Sequence, residues 1–152
     1  MDRYSKAKIY KIVDNTSRKV YVGSTCEDTL AKRLSKHVDS YKQHLKGNYN
    51  NVTSFQILSN ENYDIILIEN YPCNNKDELR ARERYWIENT DFCVNKNIPT
   101  RTREELDNIK VKCDCGATTL RRCVTKHLRT PKHQRYLNRL LFEQLPCIVK
   151  NQ

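Results

Sequence analysis

The first half of this chain carries residue types that handle phosphate and metal, at spacings that place them on separate elements. Lys8-Ile9-Tyr10 and Tyr21-Val22-Gly23 each offer a tyrosine, Arg33 and His37 stand four apart, and Glu83 sits among apolar helix positions. A phenol or imidazole can move a proton, a guanidinium can neutralise phosphoryl oxygens, and a carboxylate can hold a divalent cation. Such a set suits hydrolysis of a phosphodiester.

The elements that must position them follow from patterning. Lys8–Asp14 alternates and is rich in β-branched and aromatic residues, as a half-buried strand should be. Asp14-Asn15-Thr16-Ser17 supplies turn residues, and Val20–Gly23 returns as the second strand of a hairpin. That hairpin sets Tyr10 and Tyr21 on one side of the sheet, although paired strand tyrosines also pack without doing chemistry. Gly23 is expected to end the strand, so that Ser24 and Thr25 offer backbone N–H groups to a phosphate oxygen.

From Thr29 to Leu45, Leu30, Leu34, Val38, Tyr41 and Leu45 recur at three and four, the pattern of an amphipathic helix. Arg33 and His37 share a face bordering that stripe, as cleft residues or as a surface arginine and a half-buried histidine. Residues 52–59 fit either a strand or a short helix. Tyr63–Glu69 reads as a third strand closed by Pro72, and Asn75 with Glu78 resembles a capping box opening a helix to about Asn89. Glu83 lies four after Leu79 and four before Ile87, on the line facing the core. A carboxylate there is costly unless an ion pair or a metal compensates it. Arg80 and Arg84 are expected to project to other sides.

These runs, with the step of twelve from Glu83 to Asn95, resemble the GIY-YIG endonuclease superfamily over about residues 6–99. Lys8 stands where that family usually has glycine, and the loop Cys26–Thr29 is longer by about two residues. The resemblance implies a metal-dependent DNA endonuclease with Tyr10, Tyr21, Arg33, His37 and Glu83 as catalytic residues. Gly23, Ser24 and Asn95 would support the site, and one Mg²⁺ or Mn²⁺ would be held by Glu83. Arg33 would neutralise the phosphoryl oxygens. The base is one of Tyr10, Tyr21 and His37, with Tyr10 favoured.

A second module follows. Cys113-x-Cys115-Gly116, then His127 and His133, offers two thiols and two imidazoles at finger-like spacing, suited to a structural Zn²⁺. Cys123 is an alternate ligand, and a free-thiol helical tail is the competing reading. Both histidines are expected on one helix beginning near Thr118, which Pro131 must kink or end. The module resembles small two-cysteine, two-histidine fingers that accompany nuclease-like domains in large DNA viruses. Cys26, Cys73, Cys93 and Cys147 read as core or surface thiols.

Charge separates the two parts. The net charge is +10, of which residues 1–99 carry +3 and residues 100–152 carry +7. Arg121, Arg122, Lys126, Arg129, Lys132, Arg135 and Arg139 form a run with no intervening acid. That run favours DNA as partner, against the alternative of an ordinary solvated helix face. No apolar stretch suggests a signal peptide or a membrane span, so an intracellular protein is expected.

The expected class is α/β (α+β), a small three-stranded antiparallel sheet flanked by helices and followed by a zinc-finger module. The expected boundaries are 1–99 for the nuclease head, 100–110 for a linker, 111–138 for the finger and 139–152 for a tail. A homodimer on DNA would serve double-strand cleavage, because one nucleophile cuts one strand per event. A non-catalytic nucleic-acid-binding protein that keeps the fold is the alternative.

Overall fold

Burial along one strand decides the architecture. In β1 (Lys8–Asp14), Ile9, Tyr10 and Ile12 are completely buried although they point to opposite sides, so this strand is covered on both faces. The structure, a computed structural model, describes residues 3–143. These form two units, residues 1–100 and 101–152 as divided along the chain.

In the first unit β1 is central. It pairs antiparallel with β2 (Val20–Thr25) on one side and with β3 (Tyr63–Asn70) on the other, giving the order β2-β1-β3. The β1–β2 register sets Tyr10 opposite Gly23 and Ile12 opposite Tyr21. Alternation then sorts the side chains. Ile9, Val20 and Val22 pack with Leu79 and Ile87 of α3 (Lys76–Glu88). Tyr10, Ile12 and Tyr21 pack with Leu30 and Leu34 of α1 (Leu30–Leu45) and Ile57 of α2 (Phe55–Leu58). Replacing a central isoleucine by alanine typically costs about 2–5 kcal/mol, so these two half-cores hold the sheet between its helices.

Polar groups fix the connections. The Asp14 carboxylate accepts from the Thr16 N–H at 2.8 Å and the Ser17 N–H at 3.2 Å, closing the hairpin turn. Thr29 caps α1, and the Asn75 side chain caps α3 by accepting from the N–H groups of Asp77 and Glu78. Cys26, Cys73 and Cys93 pack against the α3-side core, in keeping with their reading as packed thiols. Residues 52–59 resolve to the short α2, with Phe55, Ile57 and Leu58 buried.

The second unit opens with α4 (Arg103–Asp107), closed by a reciprocal capping box of Thr102 and Glu105. Residues 100–110 are therefore not a structureless linker. A hairpin of β4 (Lys110–Lys112) and β5 (Thr118–Leu120) follows, then α5 (Val124–Leu128) and α6 (Pro131–Glu143). The single helix expected from Thr118 is thus a strand, a 3-10 turn (Arg121–Cys123) and two helices. Pro131 does not kink a helix but begins one, at the position where its missing N–H has no intrahelical partner to lose. The expected boundary at residue 138 falls inside α6, and the rest of the tail, with Cys147, lies outside the described residues.

Candidate active site

The phenols, the imidazole and the guanidinium meet on the α1 face of the sheet. Tyr10 is buried completely, and its hydroxyl lies 2.7 Å from His37 Nε2. Arg33 Nε donates to the same oxygen at 2.9 Å. His37 Nδ1 lies 3.2 Å from the hydroxyl of buried Ser54. Burial, reinforced by the Arg33 charge, holds the imidazole down to about 4, so it is neutral near pH 7. One of the two imidazole tautomers makes every contact and also gives the buried Tyr10 O–H an acceptor. Tyr10 accepts from Arg33 and donates to an unprotonated Nε2, and Nδ1–H donates to Ser54.

Gly23 makes this packing possible. A β-carbon there would lie 2.6 Å from the Tyr10 hydroxyl oxygen and 2.8 Å from Cζ. The glycine does not end β2, which runs on to Thr25. Its contribution is the space into which the Tyr10 ring extends across the hairpin.

Tyr21 differs from Tyr10 because β2 is an edge strand. Its ring stands edge-on to His37 with centroids 5.5 Å apart. Its hydroxyl has no hydrogen-bond partner among the described residues, and no described side-chain polar atom is both buried and unpartnered, so that hydroxyl is not completely buried, and the residue lines the cleft described below. Burial, then Tyr10 and Glu83, push its phenol up from the ordinary range, while Arg33 draws it down. Tyr10 is also raised by burial against the pull of Arg33.

Glu83 approaches from the other face. Ser24 is one position out of step with Tyr21 and Gly23, so it points to α3 and gives its hydroxyl to Glu83. The Ser24 backbone N–H also favours the carboxylate. Burial pushes the Glu83 carboxyl up, against Ser24, Arg33 and Arg80. Glu83 makes no salt bridge among the described residues. Arg84 does project away, to Glu88 at 2.9 Å, but Arg80 lines the same cleft as Glu83, contrary to the expectation for both.

Asn95 supports the edge strand. Its side chain accepts from Val22 N–H at 2.9 Å and donates to Val22 C=O at 2.8 Å. The chain before it runs beside the same edge, Val20 N–H donating to Phe92 C=O at 3.0 Å and Val94 N–H to Val20 C=O at 2.8 Å. Asn95 therefore extends that pairing with its amide and holds β2 next to Gly23 and Ser24.

Tyr21, Ser24, Arg33, Glu83 and Asn95 line one cleft of about 880 Å³. It follows the β2 edge, which is why groups from both faces of the sheet reach it. Sequence reasoning sent Arg80 away from the cleft and missed Ser54, the buried partner of His37. Arg80 stands three before Glu83, a helical neighbour that spacing alone would reveal. Ser54 comes from an irregular segment whose sequence offers no such signal.

The metal chemistry of the cleft fits its donors. One partly buried carboxylate in no salt bridge suits Mg²⁺ or Mn²⁺, which keep several water ligands and need few from the protein. In the second unit, Cys113, Cys115, His127 and His133 place their ligand atoms within 4.8 Å of one another. Gly116 at φ +81° turns the knuckle, and its N–H donates to Cys113 C=O at 2.9 Å. Cys113 Sγ lies 3.3 Å from His133 Nδ1, and Cys115 Sγ 3.3 Å from His127 Nε2. The histidines come from α5 and α6 separately. Cys123 is not part of this cluster.

Residues 6–98 match the GIY-YIG catalytic domain, and the chain belongs to the GIY-YIG family. It is a GIY-YIG-type endonuclease. The catalytic domain of homing endonuclease I-TevI is 25% identical over 60% of this chain and 99% of that one, with a TM-score of 0.47. A point mutant of the catalytic domain of intron endonuclease I-TevI is 27% identical over 64% and 97%, with a TM-score of 0.46. No curated protein matches the chain. No helix among the described residues is long and apolar enough to cross a membrane.

Proposed function

We propose that this endonuclease hydrolyses phosphodiester bonds of DNA with one divalent cation held at Glu83, and that its second unit is a zinc finger that grips DNA. The observation that carries the reading is the shared cleft. A partly buried carboxylate, an arginine and an open phenol reach it from opposite faces of the sheet.

Arg33 spends only its Nε on Tyr10, so its two terminal nitrogens remain to donate to phosphoryl oxygens. Tyr10, favoured from the sequence as the base, is enclosed and occupied by Arg33 and His37. Its part is to hold Arg33. Tyr21, the phenol open to the cleft, is the base in this reading. Its phenolate takes the proton of the attacking water as the water oxygen bonds to phosphorus. The bond to the leaving sugar oxygen then breaks, and that oxygen is protonated by cleft water. Burial holds the phenol protonated; the Arg33 charge works against that, and neutralising Glu83 removes a further charge that opposes the phenolate. A cation held at Glu83 would polarise the phosphate and stabilise the leaving oxygen.

In the second unit two thiolates and two imidazoles would fill all four positions around a structural Zn²⁺ and leave none open. Arg121, Arg122, Lys126, Arg129, Lys132, Arg135 and Arg139 are all exposed and available to phosphates.

Nicking of supercoiled plasmid in Mg²⁺ or Mn²⁺ tests the proposal, comparing the wild type with Glu83→Ala and with added EDTA. Nicking is expected from the wild type and lost in both controls. Zinc-loaded protein that binds DNA in a salt-sensitive way yet never nicks it would leave a binding module in place of an active nuclease.

A further inference from the structure

A second cavity of about 450 Å³ opens from the catalytic cleft and shares Tyr21, Arg33, Lys36 and Val52 with it. Its far wall holds Tyr49, an aromatic residue 49% exposed, which is an unusual state for a large ring with a fixed position. The position is fixed by the way α1 ends. Gly47 at φ +79° donates its N–H to His44 C=O at 2.9 Å, and Asn48 N–H reaches Gln43 C=O at 3.0 Å. These are the two bonds of a Schellman cap, so the chain after α1 is folded back in a defined geometry.

Two further contacts hold Tyr49. His44 Nδ1–H donates to its carbonyl at 2.7 Å, and its ring leans on buried Phe55 with centroids 6.3 Å apart. Phe55 is itself held between Tyr41 and His44, at 5.3 and 5.1 Å. Tyr49 is thus a supported ring with one side left to solvent, beside a cleft whose connecting wall carries Arg33 and Lys36. Other exposed aromatics, such as Phe92 and Tyr85, line neither cavity.

We propose that this cavity is a nucleobase subsite. A nucleotide adjoining the scissile phosphate leaves its stack and lays its base on Tyr49, while Arg33, joined by Lys36 once it gives up its ion pair with Glu27, holds the phosphate between the two cavities. The physical basis is that every base has a π-face, so an aromatic platform next to a cationic groove captures single-stranded or everted nucleotides. The inference rests on the nuclease reading above and adds to it the location of a substrate contact outside the reacting centre.

The test uses the full-length, zinc-loaded protein and a duplex oligonucleotide carrying a cut mapped on plasmid. Abasic nucleotides are placed one at a time on either side of the cut. One abasic position is expected to lower kcat/KM roughly 5- to 100-fold, the range that loss of one base–aromatic stack allows. Tyr49→Ala is expected to show a similar loss on the intact substrate and no further loss on the abasic one. Tyr49→Trp should retain wild-type cleavage, which separates stacking from a mere disturbance of the loop. Equal cleavage by Tyr49→Ala and wild type, or an abasic penalty undiminished in Tyr49→Ala, overturns the subsite while leaving the nuclease intact. A wild type that cuts no plasmid overturns the nuclease reading instead, and the subsite with it.

Discussion

Gly23→Ala is the smallest change that should disable this site. The added methyl carbon would fall 2.6 Å from the Tyr10 hydroxyl oxygen, 2.8 Å from Cζ and 3.1 Å from Cε1 of Tyr21. Tyr10 has no room to yield, being fully buried and held by His37 at 2.7 Å and Arg33 at 2.9 Å. Overpacking of this kind costs about 1–3 kcal/mol. Displacing the hydroxyl weakens two further hydrogen bonds worth about 1 kcal/mol each. A total of about 3–5 kcal/mol should lower the melting temperature of a domain this size by roughly 15–25 °C.

Activity should fall further, because Arg33 loses the oxygen that positions it, and a misplacement of about 1 Å can cost ~100-fold in rate. Thermal unfolding and plasmid nicking measure the two effects. Tyr10→Phe removes the closest of the three clashing atoms, so Gly23→Ala should cost less in that background than in the wild type. A Gly23→Ala protein with unchanged melting temperature and nicking would refute the packing account. Additive effects of the two substitutions would refute the specific clash.

Two other outcomes follow from the same structure. Unfolded, His37 gains a proton below its ordinary value of 6.5, but folded only below about 4. Its stabilising contribution is therefore complete above pH 6.5 and is lost as pH falls towards 4, by roughly 3 kcal/mol. Urea unfolding at several pH values should show that slope in the wild type and a flatter one in His37→Asn; identical slopes would contradict it. Chelation of zinc, or Cys113→Ser, should remove helical circular dichroism from the second unit. The fluorescence of Trp86, the only tryptophan and a residue of the first unit, should persist. Full retention of helix after verified removal of metal would show that the cysteine–histidine cluster does not depend on zinc.

Much of the scaffold is legible in local patterning. The hairpin, the amphipathic run from Leu30 to Leu45, the cap at Asn75 and the inward line Leu79, Glu83, Ile87 all follow from periods of two and 3.6. The four residues of the cysteine–histidine cluster are likewise legible, because thiols and imidazoles so spaced have few other uses. Thr102 with Glu105 was an equally readable capping box, yet the charge around it suggested only a linker. Pro131 was ambiguous by nature, since proline both interrupts helices and begins them, and nothing local decides which.

Residue types, spacings and the side of the sheet each strand residue faces are properties of neighbouring positions, and the amino-acid sequence alone determines them. Depth is not such a property. Tyr10 and Tyr21 look equivalent along the chain, but β1 is covered by β2 and β3 while β2 lies at an edge, so one phenol is enclosed and the other meets the cleft. The same strand order brings Ser24 to Glu83 and Asn95 to Val22 across 59 and 73 residues. Only tertiary pairing could decide these contacts, because strand order arises from competition among distant segments for the same backbone edges and the same apolar faces.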